Sequence, residues 1–289
     1  MRKFIVSDLH GNGKIYDSII SYLENINKTE EVILYINGDL FDRGPESARL
    51  LLDVKDRIEN KKGFKIEYLG GNHELMMYQA YLEKENGKWR LDSDWFYNGA
   101  ETTLYGLKEL MTKDGEKDIM NFISNLKLYH KFNEKLNDKP IVLVHAKCPK
   151  IVKDDCDMFI KDNTIDTSLT VWTRREDYWT MLLNNVGNKD YFTIIGHTPV
   201  NNYLGYEYYR HDNTLNIDGG CAKYACGLTE FDHTPLVEID EKNDRLIILT
   251  FNNNNKIISG NYFTNGMSTE IKSKELDNYS KKLKKILKE

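Results

Sequence analysis

Five short polar segments, each ending an apolar run of strand length, constrain this chain more than any other feature. They are Asp8-Leu9-His10-Gly11, Gly38-Asp39-Leu40-Phe41-Asp42-Arg43-Gly44, Gly70-Gly71-Asn72-His73-Glu74, Val144-His145-Ala146 and Gly196-His197-Thr198-Pro199. The runs before them, at residues 3–7, 32–37, 64–69, 140–145 and 191–196, read as strands. Between the first three runs lie helical patterns. Ile15, Ile19, Leu23 and Ile26 recur at helical spacing, and a second helix is predicted over 46–60, with Pro45 near its first turn. A third helix is predicted from about Glu74. A β-α-β-α-β order predicts parallel strands joined by crossover helices. In open α/β sheets ligands bind beyond the carboxyl ends of the strands, so the five segments are predicted to share one rim. Four of the seven histidines lie in them.

Further strands are predicted at 215–218, 236–239 and 245–251. Their short connections predict antiparallel pairing, so the core reads as a mixed α/β sandwich. Residues 83–128 read as helical and polar, with Ile119, Phe122, Ile123 and Leu126 marking one helix. The asparagine run at 252–255 reads as a hairpin tip, and the aromatic stretch at 203–209 as a hairpin with packed rings. In the lysine-rich tail from 268 onward, Ile271, Leu276, Tyr279, Leu283 and Leu287 form one helical face, predicted to be a docked or fraying surface helix.

At 289 residues the chain is long enough for one large domain or two small ones. It has no run of about eighteen apolar residues, so neither a membrane span nor a membrane partner is expected. Asp8 and His10 follow closely on the N-terminus, which has no long apolar stretch, and this reads as a cytoplasmic chain with no cleaved leader. The net charge of −5 argues against nucleic acid as the main partner. It does not argue against a phosphate substrate, because a metal site supplies its own positive field. Cys148, Cys156, Cys221 and Cys226 form no C-x-x-C pair and read as small buried thiols. No pattern specifies an oligomeric state.

Carboxylate oxygens and imidazole nitrogens suit zinc, iron or manganese. A carboxylate can bridge two cations roughly 3.5–4 Å apart. Asp8 and His10, two apart on an extended segment, project to one side. Each segment alone has an ordinary structural reading: a surface ion pair for Asp42 and Arg43, a turn for Asn72, a core imidazole for His145. The five in order are specific. His130, His211 and His233 lack a partner pattern and read as structural or surface residues. Glu74 reads as a helix cap, and Asp218 as a turn residue.

In this order the segments resemble the metallophosphoesterase, or calcineurin-like, superfamily. Within it the chain resembles the phosphoprotein phosphatase family. Bacterial and phage members of that family share D-x-H-G, G-D-x-x-D-R-G, G-N-H-E, a mid-chain histidine and a late G-H-T-P. Trp95-Phe96-Tyr97-Asn98-Gly99-Ala100-Glu101-Thr102-Thr103-Leu104 resembles their W-x-x-N-G-G-x-x-T-L stretch, and Asn216-Ile217-Asp218-Gly219-Gly220 is similar to a late family element. The likeness covers about residues 1–250. It implies a four-layer α/β/β/α fold, with a catalytic domain at 1–263 and a C-terminal helix or tail at 264–289.

The resemblance implies roles by position. Asp8 and His10 bind one metal, Asp39 bridges both, and Asn72, His145 and His197 complete the second. Arg43 grips phosphate, as a guanidinium fork matches two phosphate oxygens. His73 protonates the leaving oxygen, held and kept cationic by Asp42. Arg174, in Val171-Trp172-Thr173-Arg174, matches a W-x-R element that supplies a second phosphate-binding arginine, although Arg175 is adjacent. One departure stands out: Gly70 occupies a position where several members carry arginine.

The activity implied is metal-dependent phosphoester hydrolysis by two divalent ions, manganese in vitro, with iron or zinc as alternatives. A hydroxide bridging the metals attacks phosphorus. The motifs favour a serine/threonine phosphoprotein phosphatase acting on a phosphorylated protein or small phosphoester. The alternative is a dinucleoside-polyphosphate hydrolase of the diadenosine tetraphosphate type on the same core. A binding module with a relic site is the reading from a different class, and the intact ligand set argues against it.

Overall fold

The computed structural model describes residues 1–110, 115–174, 187–200, 207–222, 233–252, 254, 256–264 and 267–286. β1 (Arg2–Val6), β2 (Val32–Asn37) and β3 (Lys65–Leu69) pair in parallel, with Val6 opposite Ile36 and Asn37 opposite Leu69. That register brings the three carboxyl ends to one level. The crossovers are α1 (Gly13–Asn27) and α2 (Ser47–Glu59), and α3 (Asn72–Leu82) starts just beyond β3. Asn12 caps α1 by accepting the Ile15 N–H, and Ile15, Ile19, Leu23 and Ile26 are buried as their spacing predicts.

β9 (Thr234–Asp240), β10 (Arg245–Asn252), β11 (Lys256–Thr264) and β12 (Met267–Glu270) extend this sheet antiparallel from β1. The second sheet contains β4 (Tyr129–Leu136), β5 (Lys139–Val144), β6 (Phe192–Ile195), β7 (Tyr209–His211) and β8 (Thr214–Asn216), in the order β4-β5-β6-β8-β7. Strand alternation stacks the layers. Phe4 and Val6 of β1 pack with the helices, while Ile5 packs between the sheets with Ile141, Leu143, Phe192 and Ile248. On the outer side of the second sheet Val142 and Val144 meet Cys148, Val152 and Cys156. The helical side also carries α4 (Asp94–Tyr97), α5 (Glu101–Leu110) and α6 (Gly115–Ser124), while α7 (Ile165–Trp172) packs against α3. Two mixed sheets flanked by helices are the α/β sandwich expected from the sequence.

Antiparallel pairing of the late strands holds for β9 and β10, while β8 lies parallel to β6 and antiparallel to β7 in the second sheet, where β5 and β6 are also parallel. The connections from β5 to β6 and from β6 to β8 exceed the dozen or so residues that a parallel crossover requires. β4, β7, β11 and β12 carry many outward polar residues, and their apolar periodicity is correspondingly weak. α8 (Ser273–Ile286) rests on α1 and β11, with Ile271 buried and Leu276 and Tyr279 packed on the core, so the tail helix is docked. Cys148, Cys156 and Cys221 are buried. Cys226, Arg175, Leu287, Asn253, Asn255, residues 203–206 of the aromatic stretch and the Leu283 side chain lie outside the described residues. Among the described residues no helix is long and apolar enough to cross a membrane.

Candidate metal centre

Asp39 is the hub of the site. Its Oδ1 lies 3.4 Å from His145 Nε2, and its Oδ2 lies 3.5 Å from His10 Nε2 and 3.9 Å from His73 Nε2. Two donor triads therefore share this carboxylate, His10–Asp39–His73 and Asp39–His145–His197, with every member buried. Asn72 joins the second, its Oδ1 lying 2.7 Å from His197 Nδ1 and 3.1 Å from His145 Nε2.

Backbone carbonyls select the tautomers. His10 Nδ1 is 3.1 Å from the Phe41 carbonyl, and His145 Nδ1 is 2.8 Å from that of Asn37. Donation to those oxygens turns each Nε2 inward toward Asp39, the usual arrangement behind a metal-binding imidazole. Asp8 falls outside both triads. Its carboxylate accepts from the Ser7 hydroxyl and from the His197 N–H at 3.1 Å. Asp8, His10, Asp39, Asp42, Arg43 and His197 all adopt positive φ, between 43° and 71°. Non-glycine residues hold that region at a cost, and such strain gathers at functional sites.

The electrostatics fit bound cations. Burial, reinforced by Asp218, pushes the Asp8 carboxyl well above its ordinary range. Burial alone would also raise Asp39, but His145, His73 and His10 draw it well below that range. Burial opposes charge on His145, yet Asp39 and Asp8 hold its pKa up at about 10. A fully buried cluster that draws in positive charge, with nitrogen and oxygen donors on both faces of one carboxylate, is chemically suited to two divalent ions. The guanidinium groups of Arg43 and Arg174 donate to His10 Nε2 at 3.2 Å and to His197 Nε2 at 2.9 Å. Both arginines expected to grip phosphate thus stand at the site.

His73 sits in the first turn of α3. Its Nδ1 lies 2.7 Å from Asp42 Oδ2, and its Nε2 is buried with no hydrogen-bond partner among the described residues. Burial pushes the Asp42 carboxyl up to about 8, against the pull of Thr103 and Trp95, and pushes the His73 imidazole down to about 3. The 2.7 Å contact ties His73 Nδ1 to Asp42 Oδ2 through one shared proton.

The residues around Asp42 give the Trp95–Leu104 motif a physical role. Trp95 Nε1 donates to Asp42 Oδ2 at 2.8 Å, and the Thr103 hydroxyl donates to Oδ1 at 2.5 Å. The Asp42 N–H returns to Thr103 Oγ1 at 3.0 Å, and the Arg43 N–H binds the Gly99 carbonyl at 2.9 Å. Gly99 has φ +93°, and a Cβ there would meet Arg43 Cγ at 2.8 Å. The motif had suggested a likeness but no contact. Glu74 is the cap that was expected, and it does more: it accepts the N–H groups of Gly71, Asp39 and Leu40, tying the Asp39 loop to α3. Asp218 is buried and accepts the Gly220 N–H at 2.9 Å, a turn contact as read from the sequence. His130 packs between Tyr35 and Phe132.

Residues 1–227 match the description of the calcineurin-like phosphoesterase family. The chain belongs to that family. This calcineurin-like phosphoesterase is 29% identical over 236 residues to the asymmetrical bis(5'-nucleosyl)-tetraphosphatase PrpE of Bacillus subtilis (strain 168), covering 75% of this chain and 85% of that protein. Its fold is similar to a cold-active protein-tyrosine phosphatase of a psychrophilic Shewanella species, with a TM-score of 0.50, 15% identity, and 94% of this chain and 80% of that one covered. A serine/threonine phosphatase from Saccharomyces cerevisiae matches with a TM-score of 0.50 and 14% identity, over 87% of this chain and 80% of that one. Likeness at that level shows the fold alone.

The departure at Gly70 has a packing cause in this phosphoesterase. A Cβ at that position would meet Ile160 Cδ1 and Cγ1 at 2.6 Å and Leu128 Cδ2 at 3.3 Å. The 3₁₀ turn Ile160–Asp162 occupies the space where a longer side chain would begin.

Proposed function

We propose that this phosphoesterase hydrolyses dinucleoside polyphosphates asymmetrically, giving AMP and ATP from diadenosine tetraphosphate and water. The observation that carries this reading is its similarity, across three quarters of the chain, to asymmetrical bis(5'-nucleosyl)-tetraphosphatases of two Bacillus species, at 29% and 28% identity. The motifs D-L-H-G and G-N-H-E favoured a phosphoprotein phosphatase first. The relatives support the alternative instead.

Asp39 would hold both ions, with Asp8 and His10 on one side and Asn72, His145 and His197 on the other. Two divalent ions held there would supply Lewis acidity at the phosphate and lower the pKa of water. Arg43 and Arg174 neutralise charge on the phosphate oxygens. His73 delivers a proton from Nε2 to the departing oxygen, and the proton shared with Asp42 moves to Nδ1. The Asp42 carboxylate left behind is stabilised by the Trp95 and Thr103 donors. Glu74 keeps the Asp39 loop fixed throughout.

Product analysis with manganese tests the reading. AMP and ATP in equal amounts are expected from diadenosine tetraphosphate, with activity abolished by a chelator. Two ADP would move cleavage to the central linkage. An intact dinucleotide, together with phosphate release from a phosphoserine peptide, would overturn the reading in favour of the protein phosphatase.

A further inference from the structure

A groove of about 510 Å³ lies between residues 147–158 and α7. Its volume falls within the range of small-ligand sites. Both walls start at the metal centre. One begins two residues after His145. The other, α7, ends two residues before Arg174. The Thr170 carbonyl clamps the walls together by accepting the Ala146 and Lys147 N–H groups at 3.1 and 2.9 Å. Farther out, the Asn188 side chain donates to the Pro149 carbonyl at 3.2 Å, and the Lys153 N–H binds the Tyr129 hydroxyl at 3.1 Å. The groove is therefore preformed.

Three lysines line it: Lys147, Lys150 and Lys153. Lys153 is paired with Asp157, and Asp166 adds a second acid. No ion pair is recorded for Lys147 or Lys150 among the described residues. Ile151 and Leu169 place apolar surface on opposite walls, 76% and 45% exposed. Lys147 and Lys150, without an ion pair among the described residues, and the uncovered aliphatic surface beside them match a ligand that is polyanionic at one end and carries a flat apolar ring at the other.

We propose that this groove holds the polyphosphate–nucleoside arm extending from the attacked phosphorus, with Lys147 and Lys150 on its phosphates and the base between Ile151 and Leu169. The inference rests on the dinucleoside polyphosphate reading above. A one-armed aryl phosphate has no such arm to place in the groove.

The test compares Lys147→Ala, Lys150→Ala, their double variant and Lys150→Glu with the wild type. Substrates are diadenosine tetraphosphate and p-nitrophenyl phosphate, with manganese present. The double variant is expected to lose about tenfold or more in kcat/KM on the dinucleotide, mainly through KM. Hydrolysis of the aryl phosphate should stay within about twofold of wild type, which also reports on folding. Equal losses on both substrates overturn the groove as an arm site. So does an unchanged KM in all four variants while the wild type cleaves the dinucleotide, and this outcome leaves the functional reading standing. A wild type that leaves the dinucleotide intact overturns both.

Discussion

The imidazole Nδ1 of His73 lies 2.7 Å from Asp42 Oδ2, and both side chains are wholly removed from solvent. Trp95 and Thr103 complete the surroundings of that carboxylate, while the opposite imidazole nitrogen has no hydrogen-bond partner among the described residues. With Nδ1 engaged by Asp42, Nε2 is the ring nitrogen left to deliver a proton.

His73→Asn should separate proton delivery from metal binding. General acid help is worth about 10²–10⁴-fold, and it matters most for poor leaving groups. The variant should lose roughly that factor on alkyl phosphoesters and much less on aryl phosphoesters. Its metal content should stay at the wild-type value. His73 also stands in a donor triad with His10 and Asp39, so a fall in bound metal with equal losses on both esters would make it a ligand.

Trp95→Phe removes one donor from Asp42 while keeping an aromatic ring against Trp89 and Phe96. Leaving a buried acceptor short of a partner costs about 1–3 kcal/mol, which a denaturant titration would read as a lowered midpoint. Turnover of alkyl phosphoesters should fall more than that of aryl phosphoesters, with KM little changed. An equal fall on both would confine Trp95 to packing.

Gly70→Arg, which installs the arginine that several family members carry, should destabilise this chain. The new Cβ would meet Ile160 within 2.6 Å, and overpacking of this kind costs about 1–3 kcal/mol. Adding Ile160→Ala should recover part of the loss. A stable single variant would show that the 3₁₀ turn can move aside.

His130 supplies a pH dependence separate from the metal centre. Burial lowers its pKa from 6.5 to about 4. A depressed pKa contributes stability that is present above the unfolded value of 6.5 and lost as pH falls through 4. The melting temperature of wild type should therefore drop more steeply than that of His130→Gln between pH 7 and pH 4. Parallel curves would remove His130 as the cause.

The gathering of His10, Asp39, Asn72, His145 and His197 at one rim was legible because each segment is placed locally. Asp8, Asp39, Asn72, His145 and His197 follow directly on strands whose apolar runs fix their direction. The parallel order of β1, β2 and β3 follows from crossover length and helical periodicity, which are also short-range properties. Tertiary structure decided the rest. Trp95 stands 53 residues from Asp42, and Thr103 stands 61 away, so no window of sequence shows that they hold one carboxylate. The parallel placement of β8 beside β6 and the packing of Ile160 against Gly70 depend on how distant segments share volume. A strand end dictates which side chain points to the rim. Close packing across the whole chain dictates what stands behind it, as Trp95 and Thr103 stand behind the carboxylate that meets His73.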